Sequence, residues 1–355
     1  MKKIKDIDEL INLRKKNKEL CDLLLSNLEF VNFDFSDLIL KNVHFIDCTI
    51  KSTSFNNSIL EQVLFKNCLL ENVVCSESTL LNITFEKIKV IDSIFNESTI
   101  EKTLFVKSVF KDSNLSFSFF KDSNLFSSDF EKINFRSSIF QDTLIEENDF
   151  KYCNFLEADL EKIDLSSNNF LYSDFKLASL IGVNMSKLDL STCFFVDVDF
   201  RQAVLHKVNF QGCCLKQADC REIEAQNVVF KNIKAEAADF SKAILKNSIF
   251  DKSFLEKSFF EEANLEKASF QSVEASESIF VKARCIETNF KKSVLRYVDF
   301  SHADIRRSNF SSTNLQGSNF HRVNDEKTSW FRANMEKVKK TDRELMKAED
   351  WKIKE

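Results

Sequence analysis

From Phe30 to Phe320 an apolar or small residue occupies every multiple of five, without a slip of phase. In an α-helix five residues advance about 500°, which would scatter these side chains around the whole cylinder. In a flat strand a five-residue step alternates faces, so successive members such as Phe240, Leu245 and Phe250 would point to opposite sides of a sheet. Neither element can bury the series. A chain that bends once per repeat can, because each fifth residue then returns to a common axis, and that is a solenoid.

The other repeat positions agree. Two residues before the centre the side chain is small or β-branched, as in Ser113, Ser118, Ala158, Ala178, Ala203 and Ala263. One residue before it Asp or Asn is common, as in Asn114, Asp159, Asp174 and Asn309, and these residues bond local backbone at bends. Gly182, Gly212 and Gly317 all fall two after a centre, where Asn57, Asn67 and Asn82 also stand, which marks a position of positive φ. No proline interrupts the series.

With AADF at 237–240, EANL at 262–265 and HADI at 302–305, the chain resembles the pentapeptide-repeat family. The resemblance implies an all-β solenoid, a right-handed quadrilateral parallel β-helix of twenty residues per coil. At about 4.8 Å per strand, about fifteen coils give roughly 70 Å. Phe210, Phe230, Phe250, Phe270, Phe290 and Phe310 are then expected to form one column, with Leu245, Leu265 and Ile305 in another. The predicted domains are an N-terminal capping helix region over 1–27, the β-helix over 28–338 and a C-terminal capping helix over 339–355. Ile4, Ile7, Leu10 and Ile11, then Leu20, Leu23 and Leu24, carry the first cap. Thr341 and Glu344, at capping-box spacing, start the last.

The 38 phenylalanines are the supply such a core requires, and they need no ligand to explain them. A net charge of -5 is mild for 355 residues and argues against direct nucleic-acid binding. The charged N-terminus does not resemble a signal peptide, and no apolar run has membrane length. The expected location is the cytoplasm of a bacterium, with secretion as an effector the alternative.

Of ten cysteines, Cys48, Cys68, Cys153, Cys193 and Cys213 sit at the small inward position and Cys75, Cys220 and Cys285 at the centre. They read as buried thiols rather than disulfides or ligands, with Cys214 outward and most reactive. The four histidines share no ligand spacing, so neither a metal nor a cofactor is expected. Nucleotide-binding, nucleophile-elbow and HExxH motifs are missing, and three glycines leave no phosphate-cradling loop, so no catalytic residue is assigned.

Function is therefore sought on the outside. Folded at twenty residues per coil, Ile39, Ile59, Phe117, Phe119 and Ile139 collect on one face, followed by an acidic strip of Glu157, Asp159, Asp197, Asp199, Asp219 and Asp239. Lys87, Lys107, Lys187, Lys207, Lys267 and Arg307 align on a neighbouring face. The plain account of these stripes is strand propensity outside and structural Asp at corners. The functional account is a non-enzymatic protein-interaction or scaffold rod whose partner contacts the Phe117 and Phe119 face. Two further readings stay open: a DNA-mimicking modulator of gyrase or topoisomerase, as the family resemblance implies, and a secreted effector or secretion-system protein. Trp330, Phe331 and Trp351 are candidates for a cap or for a homodimer contact at the C-terminal end.

Overall fold

The structure is a computed structural model, and it describes residues 1–351. The chain divides into two compact units, Met1–Ser179 and Leu180–Glu355, where the sequence predicts a single solenoid between two caps. Each unit makes about eight turns of a parallel β-solenoid, about sixteen in all against the fifteen coils expected.

In the first unit four ladders at intervals of twenty residues define four walls. They run through Glu29, Thr49 and Leu69; Asp34, Ser54 and Val74; Ile39, Ile59 and Thr79; and His44, Leu64 and Thr84. Three-residue strands predominate here, up to Asn169–Leu171. In the second unit the rungs reduce to single bridges such as Asn184↔Val204 and Val204↔Glu224. Pairing is parallel throughout because every coil runs in the same sense.

Two residues per repeat face inward, as the period requires. Phe35 stacks on Phe55 at 4.7 Å and Phe45 on Phe65 at 4.8 Å, while the two columns meet edge to face. In the second unit the Phe210 to Phe310 column is continuous, its centroids 4.6–5.3 Å apart. At the smaller inward position hydroxyls are spent on the coil before: Ser98 Oγ donates to Cys75 O at 2.7 Å and Ser118 Oγ to Phe95 O at 2.8 Å. These side chains are buried and hydrogen-bonded, which removes the cost of hiding them.

Corners repeat as well. Asn114 Oδ1 accepts from Ser116 N at 3.0 Å and from Asn134 Nδ2 at 3.0 Å, and Asn134 Oδ1 accepts from Asn154 Nδ2 at 3.0 Å. The position two after a centre is left-handed in most repeats, with almost any residue in it: φ is 54° at Asn57, 52° at Lys87 and 57° at Phe117. That conformation costs roughly 1–2 kcal/mol for a non-glycine residue. Its amide is bonded to the following coil, as Asn57 N is to Ser76 O at 3.1 Å.

The N-terminal region departs from the predicted helical cap. β1 (Lys2–Ile4) and α1 (Ile7–Lys16) are followed by β2 (Glu19–Ser26), which pairs with the Ile39–Ile46 strand. Leu20 and Leu23 are buried as strand residues, because partners in register outweigh a helical spacing of three and four. Ile4 and Leu10 are also buried, and Arg14 is tied to Asp34. At the other end α2 spans Arg343–Glu349, and its N-cap is Asp342, not Thr341. The Asp342 carboxylate accepts from Glu344 N and Leu345 N, while Thr341 Oγ1 accepts from Arg322 N at 3.1 Å. Among the described residues no helix is long and apolar enough to cross a membrane.

Candidate interaction surfaces

In the first unit, parallel register places Ile39, Ile59, Thr79, Thr99, Phe119 and Ile139 side by side on one wall. Ile59 and Ile139 are exposed and Phe119 is half-buried. Phe117 belongs to the adjoining corner column, 55% exposed, its left-handed backbone held by donation from its amide to Arg136 O at 2.8 Å. The core beneath, with Phe120 and Phe140 stacked at 4.6 Å, is complete without any of them. Coil-to-coil ion pairs such as Lys41–Glu61 at 3.0 Å flank the column. Such exposed pairs contribute at most about 1 kcal/mol each, and they also make the margin of the apolar strip polar.

Asp159 continues this column by bridging to Ile139. Burial pushes its carboxyl above the ordinary range and the charge of Glu161 adds to that, opposed by the Glu161 amide, which donates to Asp159 Oδ1 at 3.1 Å. Glu157 lies at the corner, held below the ordinary carboxylate range by Ser137 Oγ at 2.9 Å and by Arg136 Nη2 at 3.3 Å.

In the second unit Asp199, Asp219 and Asp239 form a bridged column, but it is laced with arginine. Arg201 pairs with Asp199 at 2.6 Å and reaches Asp219 at 3.6 Å; Arg221 pairs with Asp219 at 2.6 Å and reaches Asp239 at 3.8 Å. Burial raises the Asp219 carboxyl, yet the Arg221 hydrogen bonds hold it below the ordinary range. The expected acidic strip is thus largely neutralised here. Asp197 is half-buried at a left-handed corner, and Lys87, Lys107, Lys187, Lys207, Lys267 and Arg307 occupy corners of the same kind.

The same column continues past Asp239 to Phe259, Ile279 and Asp299, and Phe194 and Phe254, in one phase of the twenty-residue coil, are exposed on another wall. Sequence analysis missed these outward phenylalanines. Their signal was phase: each stands immediately before a centre.

At the C-terminal end Trp330 stacks on Phe310 at 4.9 Å but remains half-buried, and Met335 is exposed. A recess of about 290 Å³, lined by Phe320, Val323, Trp330 and Met335 among others, marks the last coil. No side chain of α2 is buried, so α2 does not seal this coil as a cap would. Polar contacts hold it elsewhere: Glu349 takes His321 Nε2 at 3.1 Å, Arg322 Nη1 at 3.2 Å and His302 Nε2 at 3.4 Å. Phe331 and Trp351 are both largely exposed, with the Arg332 guanidinium 5.0 Å above the Phe331 ring.

His302, His321 and Glu349 form the one cluster of potential metal ligands among the described residues, and their sequence spacing concealed it. The donor chemistry does not suit a metal. Asp342 N donates to His321 Nδ1 at 3.1 Å, which leaves the ring proton on Nε2, where it is given to Glu349. A metal at Nε2 would need that lone pair free and a proton on Nδ1 instead. We read the cluster as the attachment of α2.

The cysteines stand as thiols, eight of them buried. Cys214 is half-exposed as expected, but Cys21, on β2, is more exposed and was overlooked because that segment read as helix. Burial, then a hydrogen bond to Glu19, pushes the Cys21 thiol up.

A family model described as "Pentapeptide repeat region" matches residues 19–95 and 203–280, and one described as "Pentapeptide repeats (8 copies)" matches five segments within 103–221 and 283–322. Among solved structures, trypsin-treated QnrB1, a plasmid-mediated fluoroquinolone resistance protein, is similar at 14% identity. It covers 57% of this chain and 92% of its own, with a TM-score of 0.39. HetL from the cyanobacterium Nostoc, involved in heterocyst differentiation regulation, is similar at 15% identity over 80% of this chain and 97% of its own, with a TM-score of 0.23. No curated protein sequence matches the chain. At these scores the structural likenesses carry no argument about function.

Proposed function

The chain belongs to the pentapeptide-repeat family, and from that premise we propose that it is a non-enzymatic scaffold, acting in the bacterial cytoplasm and docking a protein partner on the Phe117 and Phe119 face. The observation that carries this reading is the in-register column Ile39, Ile59, Phe119 and Ile139 with Phe117 at its edge. A chain that already buries a full set of centres gains nothing in its own core from apolar residues on the outside, whereas an interface does. A solenoid wall also changes little on binding, so a partner need not order the surface it meets. The C-terminal end, with Trp330, Met335 and Phe331, is the place we assign to self-association.

Duplex mimicry of a gyrase substrate ranks second, because it needs an acidic column free of cations, and Arg201 and Arg221 counter that at Asp199 and Asp219. A supercoiling assay with added protein reads it directly. The leading reading is tested with a photo-crosslinking residue placed in turn at Phe119, at Ile139 and, as control, at Asp129 on another wall. Positions 119 and 139 are expected to yield the same adduct from extract, and 129 none. Identical products from all three would contradict it.

A further inference from the structure

The backbone rungs between coils lapse at one place in the first unit. The strand Leu144–Glu146 pairs on one side with Asn124–Phe126 and is terminal in its sheet. One coil earlier the rungs are regular: Asp122 N donates to Gln141 O and Ser127 N to Glu146 O, both at 3.1 Å. In the next coil Phe140 N still reaches Asp159 O at 2.9 Å and Asn169 N reaches Asn148 O at 2.9 Å. Between them, among the described residues, the amides of Asp142 and Ile145 meet no carbonyl of the following coil, and Glu147 N turns to Ser167 Oγ at 3.3 Å.

Where the rungs stop, the wall opens into a groove of about 690 Å³. Leu144 contributes apolar lining, and Asp142, Asp159 and Glu161 stand there beside Lys162. An unpaired strand edge is a template for another strand, and its ladder supplies affinity while side-chain charge supplies selection. Asp159 is in addition a partly buried carboxylate beside a second carboxylate, an arrangement that a cation from outside would relieve.

We infer that this groove docks an extended basic segment of a partner protein, which adds a strand along Leu144–Glu146 and sets Lys or Arg side chains against Asp159 and Glu161. The inference rests on reading the chain as an interaction protein, but not on the Phe117 face.

The test uses the full chain and a fluorescein-labelled peptide of alternating Val and Lys, followed by anisotropy. Two control peptides alternate Val with Glu, and Pro with Lys; the second keeps the charge but lacks the amides to pair. The Val-Lys peptide is expected to bind at least about tenfold more tightly than either control, and D159N with E161Q to weaken it by about tenfold or more. Hydrogen exchange in the free protein is expected to be fast at Asp142 and Ile145 and slowed by the peptide. Equal binding of the Pro-Lys peptide, unchanged affinity in the double variant, or free-protein protection at 142 and 145 equal to that at 122 and 125 would each overturn the inference. Ile139 borders the groove as well as the column, so position 119 separates the two readings: if the inference falls while the adduct from 119 persists, the proposed function stands, and loss of that adduct with peptide binding intact would remove only the Phe117 face.

Discussion

Phe259 and Phe260 are neighbours in sequence and lie on opposite sides of the same wall: Phe260 is fully buried between Phe240 and Phe280, while 39% of Phe259 is exposed. Their side chains are identical, so repeat phase alone sets the difference. Phe260→Ala is expected to cost about 3–5 kcal/mol in urea unfolding through lost transfer energy and a cavity, against about 1 kcal/mol or less for Phe259→Ala. Equal costs would mean that the phase does not decide burial.

Gly317 is set by its neighbour one coil back. A β-carbon on it would stand 2.5 Å from Cε1 of Tyr297, and its φ is +73°. Gly317→Ala is expected to cost about 1–2 kcal/mol for the left-handed backbone. Thermal unfolding of the Tyr297→Ala background should recover only what the ring displacement adds.

Thiol chemistry should report the same inside and outside. Burial pushes Cys75, Cys153 and Cys213 up to about 12, so at pH 8 they are protonated as well as hidden. Brief alkylation of the native protein, read by mass spectrometry, should modify Cys214 and Cys21 and leave the eight buried cysteines until the chain unfolds. Native labelling of Cys153 would contradict the burial.

The attachment of α2 should depend on acid. The hydrogen bond from His321, with that from Arg322 added and partial desolvation opposing, holds the Glu349 carboxyl below its ordinary 4.5. A carboxyl depressed in the folded state contributes in full above the unfolded value and loses that contribution as pH falls through the folded one. Proteolysis or amide exchange around α2 should therefore rise as pH falls below about 4.5. Glu349→Gln should reproduce the acid behaviour at pH 7.

The inside of this protein was legible because the repeat writes it twice, once at centres such as Phe250 and again two residues earlier at Ser248. Phase also located Ile59, Phe119, Ile139 and Asp159 on one column. What it could not convey depends on pairs without a period. The strand pairing of Leu20 and Leu23 needed a partner in register, and the arginine lacing of Asp199 and Asp219 depends on which charge stands two residues on. The convergence of His302, His321 and Glu349 needed the path of the chain after the last coil. The lapse at Asp142 and Ile145 has no counterpart in the period, since Leu160 and Leu165 keep the phase there.

The central claim is that the outward apolar column of the first unit is a docking surface. Its most direct test is affinity capture from extract by the wild-type chain and by a Phe117→Ser, Phe119→Ser variant, with urea unfolding measured on both. Both residues lie outside the core, so the variant should unfold within about 1 kcal/mol of the wild type while losing its specific partner by at least about tenfold. An unchanged set of captured proteins at unchanged stability would contradict the claim.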